Sequence, residues 1–142
     1  MRIGIGNDHH GLKLKNKLVK YLTKRGHEVI NYGTDTKLPV DYPDYAKKVG
    51  MAVSDKSVDL GILICKTGIG MAMACNRING ARCAKVTTIK DTKLSRLHND
   101  ANVIALSGDM MVFRAKDLVD AFIETKYSNE ERHNRRIKKM DQ

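Results

Sequence analysis

The stretch that decides the fold is DLGILICKTGIGMAMACNRI, residues 59–78. It begins with a continuous apolar run that ends at Cys65, which is typical of a strand buried on both faces of a parallel sheet. Gly68 and Gly70 then allow a tight turn, and the apolar and small residues of 69–78 predict a helix. The stretch is therefore predicted to form a strand, a glycine turn and a helix, with a thiol at the last position of the strand.

The same alternation runs through the whole chain. The predicted strands are 2–6, 27–33, 59–65, 81–86 and 102–107. The predicted helices are 11–26, 41–55, 69–78, 90–100 and 114–127, followed by a polar helix or tail over 129–140. Short connections between alternating strands and helices predict a doubly wound, Rossmann-like α/β fold, in which helices cover both faces of a five-stranded parallel sheet. We expect one domain over residues 1–142, with no linker or repeat.

The composition limits the classes of partner. The chain carries 26 basic and 16 acidic residues, a net charge of +10, and much of this excess lies in ERHNRRIKKMDQ near the C-terminus. Such an excess attracts anions, which include nucleic acid and phosphorylated small molecules, although a solvated basic tail would look the same. Aromatic residues make up only 5% of the chain and no known nucleic-acid-binding motif is present, so nucleic-acid binding is not expected.

The location and the state of the cysteines can also be predicted. No apolar run approaches the ~20 residues needed to span a bilayer, and the first residues lack the apolar core of a signal peptide. We therefore expect a cytoplasmic protein that does not bind membranes. An odd number of cysteines, three, then predicts free thiols. Cys75 and Cys83 are interpreted as small buried hydrophobic residues.

Cys65 is the strongest candidate for chemistry. Ligands of doubly wound sheets bind outside the carboxyl ends of the strands, and Cys65 lies at the carboxyl end of the third one. The turn that follows it opens a helix, whose free N–H groups and partial positive charge attract anions and favour a thiolate. Such a thiolate can act as a nucleophile or as a proton-transfer base. A buried structural cysteine beside a structural turn is the alternative.

Other polar residues follow or precede strands at the same edge. Asp8, His9 and His10 follow the first strand, and we expect only one of the two histidines to face the site. His98 precedes the fifth strand, where a helix-end cap is the alternative role. The histidines, cysteines and carboxylates show no metal-ligand spacing, so no metal is expected. Arg132 and Arg136 are four apart and share a helix face, which suits either a phosphate or solvent.

Taken together, these motifs resemble those of the type B ribose-5-phosphate isomerases and the related galactose-6-phosphate isomerase subunits. The resemblance rests on the order and spacing of five motifs, which are DH at 8–9, DYPDYA at 41–46, GILIC-x-TGIG at 61–70, LSR-x-HNDANV at 94–103 and RH-x-x-R at 132–136. They span almost the whole chain. The resemblance implies an aldose–ketose isomerase that works through a cis-enediolate without a metal or other cofactor.

The resemblance also implies a role for each matching residue. Cys65 would move the proton between C2 and C1, His98 would help to open the furanose ring, and Thr67 would hold the enediolate oxygens. The N–H groups around Gly68 and Gly70 would assist Thr67. The implied contacts to the sugar and its phosphate come from Asp8, His9, Asn99, Arg132 and Arg136.

The family resemblance also implies a homodimer or tetramer whose active sites are shared between subunits. The basic segment at about 128–142 would then pack on the partner subunit. Ribose 5-phosphate is the expected substrate. The alternatives are allose or galactose 6-phosphate, or a sugar-phosphate-binding homologue without turnover.

Three residues depart from the family's pattern. Lys66 stands where glycine is common, and His10 stands in place of alanine. Asp109 stands where the family often has an arginine that grips the phosphate. We expect His9, Arg132 and Arg136 to hold the phosphate with weaker affinity. Basic neighbours of these positions, Lys66 among them, are the candidates that would compensate.

Overall fold

The computed structural model describes residues 1–142 and contains one parallel sheet. Its strands are β1 (Arg2–Asn7), β2 (Glu28–Asn31), β3 (Leu60–Cys65), β4 (Cys83–Lys85) and β5 (Val103–Ser107). They are ordered β2-β1-β3-β5-β4, and every neighbouring pair is parallel. The predicted five-stranded parallel sheet is thus confirmed.

Six α-helices accompany the sheet: α1 (Leu12–Lys24), α2 (Tyr42–Ser54), α3 (Ile69–Cys75), α4 (Ile89–Asn99), α5 (Val112–Glu124) and α6 (Glu131–Met140). A short 3-10 turn, His9–Gly11, precedes α1. None of the helices combines the length and apolar composition that crossing a bilayer requires.

Helices cover both faces of the sheet. Successive side chains of the central strands point to opposite faces, and on both faces they are buried. Ile62 and Ile64 of β3 lie in a core built with α1 and α5. Leu63 and Cys65 lie in a second core built with α2 and α3. The alternation therefore directs the Cys65 thiol to the α2–α3 side of the sheet.

The connections change direction between β1 and β3. From β1 the chain moves outward to β2, and from β3 the remaining strands lie on the other side. The two strands are paired in register, with Asn7 opposite Ile64. Doubly wound sheets bind ligands at such a switch point, and Asp8 and Cys65 are adjacent to it.

The observed helices differ from the predicted ones at their ends. The predicted helix 69–78 ends at Cys75, because the Asn76 side-chain amide accepts a hydrogen bond from the Cys83 N–H at 2.7 Å and donates to the Cys83 carbonyl at 2.9 Å. The predicted helix 11–26 begins at Leu12, because Asp8 caps a 3-10 turn instead. Side-chain hydrogen bonds to the backbone thus set both boundaries.

A buried lysine anchors the segment between β2 and α2. The Lys15 side chain is only 1% exposed, and its ammonium donates to the Thr34 carbonyl at 3.0 Å and pairs with the Asp35 carboxylate. A buried charge is stable only when it is paired and hydrogen-bonded. These bonds hold the start of a loop whose later residues, 40 and 41, line the cleft described next.

Candidate active site

A cleft of about 850 Å³ opens at the carboxyl ends of β1 and β3. The starts of α2 and α3 form its walls. Its polar lining includes four residues of the predicted site, namely Asp8, His9, Cys65 and Thr67. It also includes His10 and Lys66, two residues that depart from the family's pattern. Gly70 also lines it. The fold therefore brings together five of the predicted site residues at the switch point.

Cys65 lies in the floor of this cleft. Its side chain is 5% exposed, and the Gly68 N–H donates to its Sγ at 3.2 Å. Gly68 has a φ of +80°, and a Cβ there would lie 3.0 Å from the carbonyl carbon of Leu106. Only glycine accommodates this turn without strain, and the turn aims an N–H at the sulfur. Such a donor stabilises negative charge on the sulfur.

The rest of the glycine turn is shaped by Thr67 and Gly70. The Thr67 Oγ1 accepts a hydrogen bond from the Ile69 N–H at 3.2 Å. A Cβ on Gly70 would lie 2.6 Å from Cζ of Tyr42, so glycine lets the tyrosine ring rest on the turn. Sequence analysis did not single out Tyr42. Its signal was its position in DYPDYA, at the start of the helix that walls the cleft.

Asp8 organises the histidines beside it. Its carboxylate is buried, and Oδ1 accepts from the N–H groups of His10 at 3.0 Å and Gly11 at 3.2 Å. His9 Nδ1 accepts from the Val40 N–H at 3.1 Å. The neutral His9 ring therefore carries its proton on Nε2, where it can be donated to a ligand.

Both histidines line the cleft, and their ring centroids are 4.3 Å apart. The expectation that only one of His9 and His10 faces the site is therefore wrong. It assumed an extended backbone, in which successive side chains point to opposite faces. The backbone forms a 3-10 turn instead, which keeps the two rings together.

Five predicted site residues do not line this cleft. Gly68 contacts it only through the hydrogen bond to Cys65, and the other four lie elsewhere in the chain. His98 is near the end of α4, and its ring lies 4.7 Å from that of His133. Asn99 lines a second cavity of about 580 Å³, between the α3–β4 connection and residues 140–142. Arg132 and Arg136 are exposed on α6. Within one chain, the predicted site is therefore divided between two places. One is the cleft that contains Cys65, called the thiol cleft below, and the other is a separate group of residues on α4 and α6.

His133 anchors the second group, and sequence analysis missed it. Its side chain is buried, with Nδ1 2.8 Å from Ser128 Oγ. Burial, with added repulsion from the Arg132 charge, lowers the pKa of His133 below its usual 6.5. The available signal was the i, i+4 spacing of His133 and Ile137, the least charged pair in α6.

A charged network holds the end of α4 in place. Asp100 has a φ of +44°, and its carboxylate accepts from Arg96 at 2.8 Å and from Arg82 at 3.3 Å. Arg82 also pairs with Asp141 just beyond α6 at 3.3 Å. The network ties α6 to the end of α4, where His98 and Asn99 lie.

The residues that depart from the family's pattern lie near the cleft in two different ways. Lys66 lines it, and its carbonyl accepts from Ser107 Oγ at 2.7 Å. Asp109 is exposed, and its N–H donates to the same hydroxyl at 3.2 Å. The Asp109 side chain does not line the cleft.

The other two cysteines are packed away from this chemistry. Cys75 is fully buried in the second core, and Cys83 is half-buried beside it. A hydrogen bond to Cys75, together with burial, raises the pKa of Cys83 well above its usual value. Cys83 therefore stays protonated, which agrees with its interpretation as a small hydrophobic residue. No three His, Cys, Asp or Glu side chains gather in a metal-binding arrangement.

Residues 3–140 match the ribose/galactose isomerase family. The chain belongs to this family. It is 41% identical over 137 residues to ribose-5-phosphate isomerase B of Escherichia coli, and this match covers 96% of the chain and 91% of the relative. The family match includes both the thiol cleft and α6.

Solved structures agree with the assignment to the ribose/galactose isomerase family. Ribose-5-phosphate isomerase B of Clostridium thermocellum is 42% identical, with a TM-score of 0.96 over 99% of the chain and 95% of that structure. The enzyme of Mycoplasma genitalium, solved with bound ribulose-5-phosphate, is 37% identical, with a TM-score of 0.93 over 99% of the chain and 93% of that structure.

Proposed function

We propose that the protein interconverts ribose 5-phosphate and ribulose 5-phosphate. One observation carries this proposal, namely that the buried Cys65 thiol lies in a cleft at the switch point and accepts a hydrogen bond from the Gly68 N–H. Relatives named ribose-5-phosphate isomerase B, one of them with bound ribulose-5-phosphate, support the choice of substrate.

In the proposed reaction, the Cys65 thiolate removes the proton from C2 of the open-chain aldose. The electron pair forms the C1–C2 double bond of a cis-enediolate, and the C1 oxygen takes the negative charge. The proton of the C2 hydroxyl passes to the adjacent C1 oxygen, the thiol returns its own proton to C1, and the ketose carbonyl forms at C2. Thr67 and the free N–H groups of the turn hold the oxygens while they are charged.

The Gly68 N–H already donates to the sulfur, and the Ile69 N–H donates to Thr67. We therefore assign oxyanion binding to the Thr67 hydroxyl and the Gly70 N–H, and assign to Gly68 the support of the thiolate. Gly70 lines the cleft, whereas Gly68 does not. This divides the proposed roles of the two glycines.

We further propose that a second subunit completes the site. Its His98 would open the furanose ring, Asn99 would contact the sugar, and Arg132 and Arg136 would join the first subunit's His9 at the phosphate. Two features support this arrangement. These four residues lie outside the thiol cleft of their own chain, and the cleft rim exposes apolar side chains, Ile69 at 54% and Met73 at 64%.

Residues 1–142 would then act as one isomerase domain in a homodimer or tetramer. α6 keeps its His133 face on its own α4 and leaves Arg132 and Arg136 exposed. In the proposed assembly these arginines would reach the neighbour. Since sugar phosphates are metabolites of the cell interior, we place the protein in the cytoplasm.

Turnover of a panel of pentose and hexose phosphates tests the proposal. The expected result is the highest kcat/KM for ribose 5-phosphate. A higher value for allose or galactose 6-phosphate would instead establish a hexose phosphate isomerase, an alternative that the exposed Asp109 favours. Binding of these phosphates without turnover would overturn the isomerase proposal.

A further inference from the structure

The side chains that line the thiol cleft carry more negative than positive charge, which disfavours a phosphorylated ligand. Three carboxylates line it, those of Asp8, Asp41 and Asp44. Among all the lining residues, Lys66 is the only lysine or arginine. A phosphate dianion that enters this cleft meets one permanent positive charge contributed by the same subunit.

Lys66 has a fixed backbone and a free ammonium group. Its carbonyl accepts from Ser107 Oγ at 2.7 Å, and its neighbours are the buried Cys65 and the hydrogen-bonded Thr67. Its ammonium makes no hydrogen bond or ion pair, whereas the chain forms eight ion pairs elsewhere, one by Lys15 and seven by arginines. An unpaired cation beside a cleft is available to an anionic ligand.

The end of β5, the strand next to β3, provides no cation that could replace the Lys66 ammonium. Asp109 follows β5 next to Lys66, and both backbones bond to the Ser107 hydroxyl. The carboxylate of Asp109 would repel a phosphate, so a ligand phosphate placed near the β3 and β5 ends depends on the Lys66 ammonium for attraction.

We propose that the ammonium of Lys66 binds the phosphate group of the substrate in the cleft of its own subunit. This inference rests on the proposed function, because it takes the substrate to be a sugar phosphate. It assigns a substrate-binding role to a residue at which the chain departs from its family's pattern. An ammonium–phosphate hydrogen bond is charge-assisted and is therefore among the stronger polar contacts.

Three variants separate charge from other effects. Lys66→Gln removes the charge and retains much of the length, and Lys66→Arg retains the charge. Lys20→Gln is the matched control, because Lys20 is exposed on α1, on the opposite side of the sheet, and the substitution changes the net charge equally. Thermal unfolding of each variant checks that the fold is intact.

Steady-state kinetics with ribose 5-phosphate and inhibition by inorganic phosphate give the decisive readings. We expect Lys66→Gln to raise KM and the inhibition constant of phosphate by about 10-fold or more, with kcat nearly unchanged. Lys66→Arg should restore most of the affinity, and Lys20→Gln should behave as the wild type.

Unchanged KM and phosphate inhibition in Lys66→Gln would overturn the proposal. So would a fall in kcat alone, since it would place the ammonium at the reacting carbons. If the wild type does not turn over ribose 5-phosphate, the proposed function fails, and calorimetric titration with the same compound then decides the role of Lys66. A dissociation constant that is the same for wild type and Lys66→Gln, or no binding to either, would reject it.

Discussion

At the residue scale, the position of the Cys65 sulfur follows from two simple constraints. Alternation along β3 directs it to the α2–α3 side, and the glycine turn aims the Gly68 N–H at it. Neither Cys75 nor Cys83 lies beside such a turn. Cys65, the proposed base, therefore differs from the other two thiols in its local backbone rather than in its burial.

Replacing Cys65 tests its role as the base. Cys65→Ala removes the group that accepts the proton, so kcat should fall by about 10²- to 10⁴-fold, the usual contribution of a positioned base. Calorimetry should show nearly unchanged binding of ribose 5-phosphate. Cys83→Ala is the matched control and should keep its turnover. Near-normal turnover in Cys65→Ala would disprove the assignment.

Replacing Asp109 tests the phosphate environment. Asp109→Arg exchanges a repulsive carboxylate for a guanidinium at the β5 end, so KM for ribose 5-phosphate should fall while kcat stays nearly constant, the pattern of added uniform binding. The control is Asp117→Arg, an equal charge change at an exposed position of α5. An unchanged KM, or loss of turnover, would show that residue 109 does not face the phosphate.

At the element scale, α6 is a charged helix that depends on a single buried side chain. His133 packs against His98 and bonds to Ser128, while Arg132 and Arg136 remain exposed. At the far end, the Arg82–Asp141 pair ties the helix to the Asp100 network. The helix is thus held at two points and leaves its arginines exposed, with Arg132 paired to Glu130 at 3.0 Å.

α6 packs on α4 through the neutral imidazole of His133, which predicts that the free energy of unfolding depends on pH. The pKa of His133 is lowered in the folded state, so its contribution to stability is complete above the unfolded value of 6.5 and is lost as the pH falls through the folded value. The unfolding free energy, measured with urea from about pH 7 to 5, should therefore fall more steeply in the wild type than in His133→Gln.

The pKa of His27 is also lowered, chiefly by burial, but this residue titrates in both proteins and cancels in their difference. Equal slopes in wild type and His133→Gln would contradict a buried neutral His133.

At the scale of the whole molecule, the distribution of residues is the reason for proposing that the site is shared between subunits. The thiol cleft contains Cys65 and Thr67, and the residues assigned to ring opening and to much of the phosphate contact lie on α4 and α6 of the same chain but outside that cleft. An isologous dimer would bring each group against the other subunit's complement.

Subunit exchange tests the shared site. Cys65→Ala and Arg136→Ala proteins should each be inactive or weak, and mixing them should restore activity, because one site of a mixed dimer contains neither substitution. The matched control mixes Cys65→Ala with Thr67→Ala. Both substitutions lie in the same cleft, so every site of that mixed dimer keeps one of them and no rescue is expected. Absence of rescue in the first mixture, with exchange proven by mass spectrometry, would argue against sharing.

The sequence by itself determined the sheet, the helices and the place of the thiol. Hydrophobic periodicity and glycine turns are local signals, and they correctly predicted five parallel strands and the position of Cys65 at the end of β3. The family's motifs also predicted its membership, which the match over residues 3–140 confirms. The roles of individual site residues remain predictions.

Only the tertiary structure decided the strand order, the joint exposure of His9 and His10 to the cleft, and the separation of His98 from Cys65. Strand order depends on contacts between segments far apart in the chain, which no local pattern encodes. The two histidines share the cleft because the Asp8 carboxylate stabilises a 3-10 turn. His98 lies apart because it packs on His133, more than thirty residues further along the chain. The Asp8 cap is itself a local contact, but the hydrogen bond from the Asp8 N–H to the Ile64 carbonyl at 3.2 Å, which holds the turn against β3, forms only when the chain folds, as do the contacts that decide the other two cases.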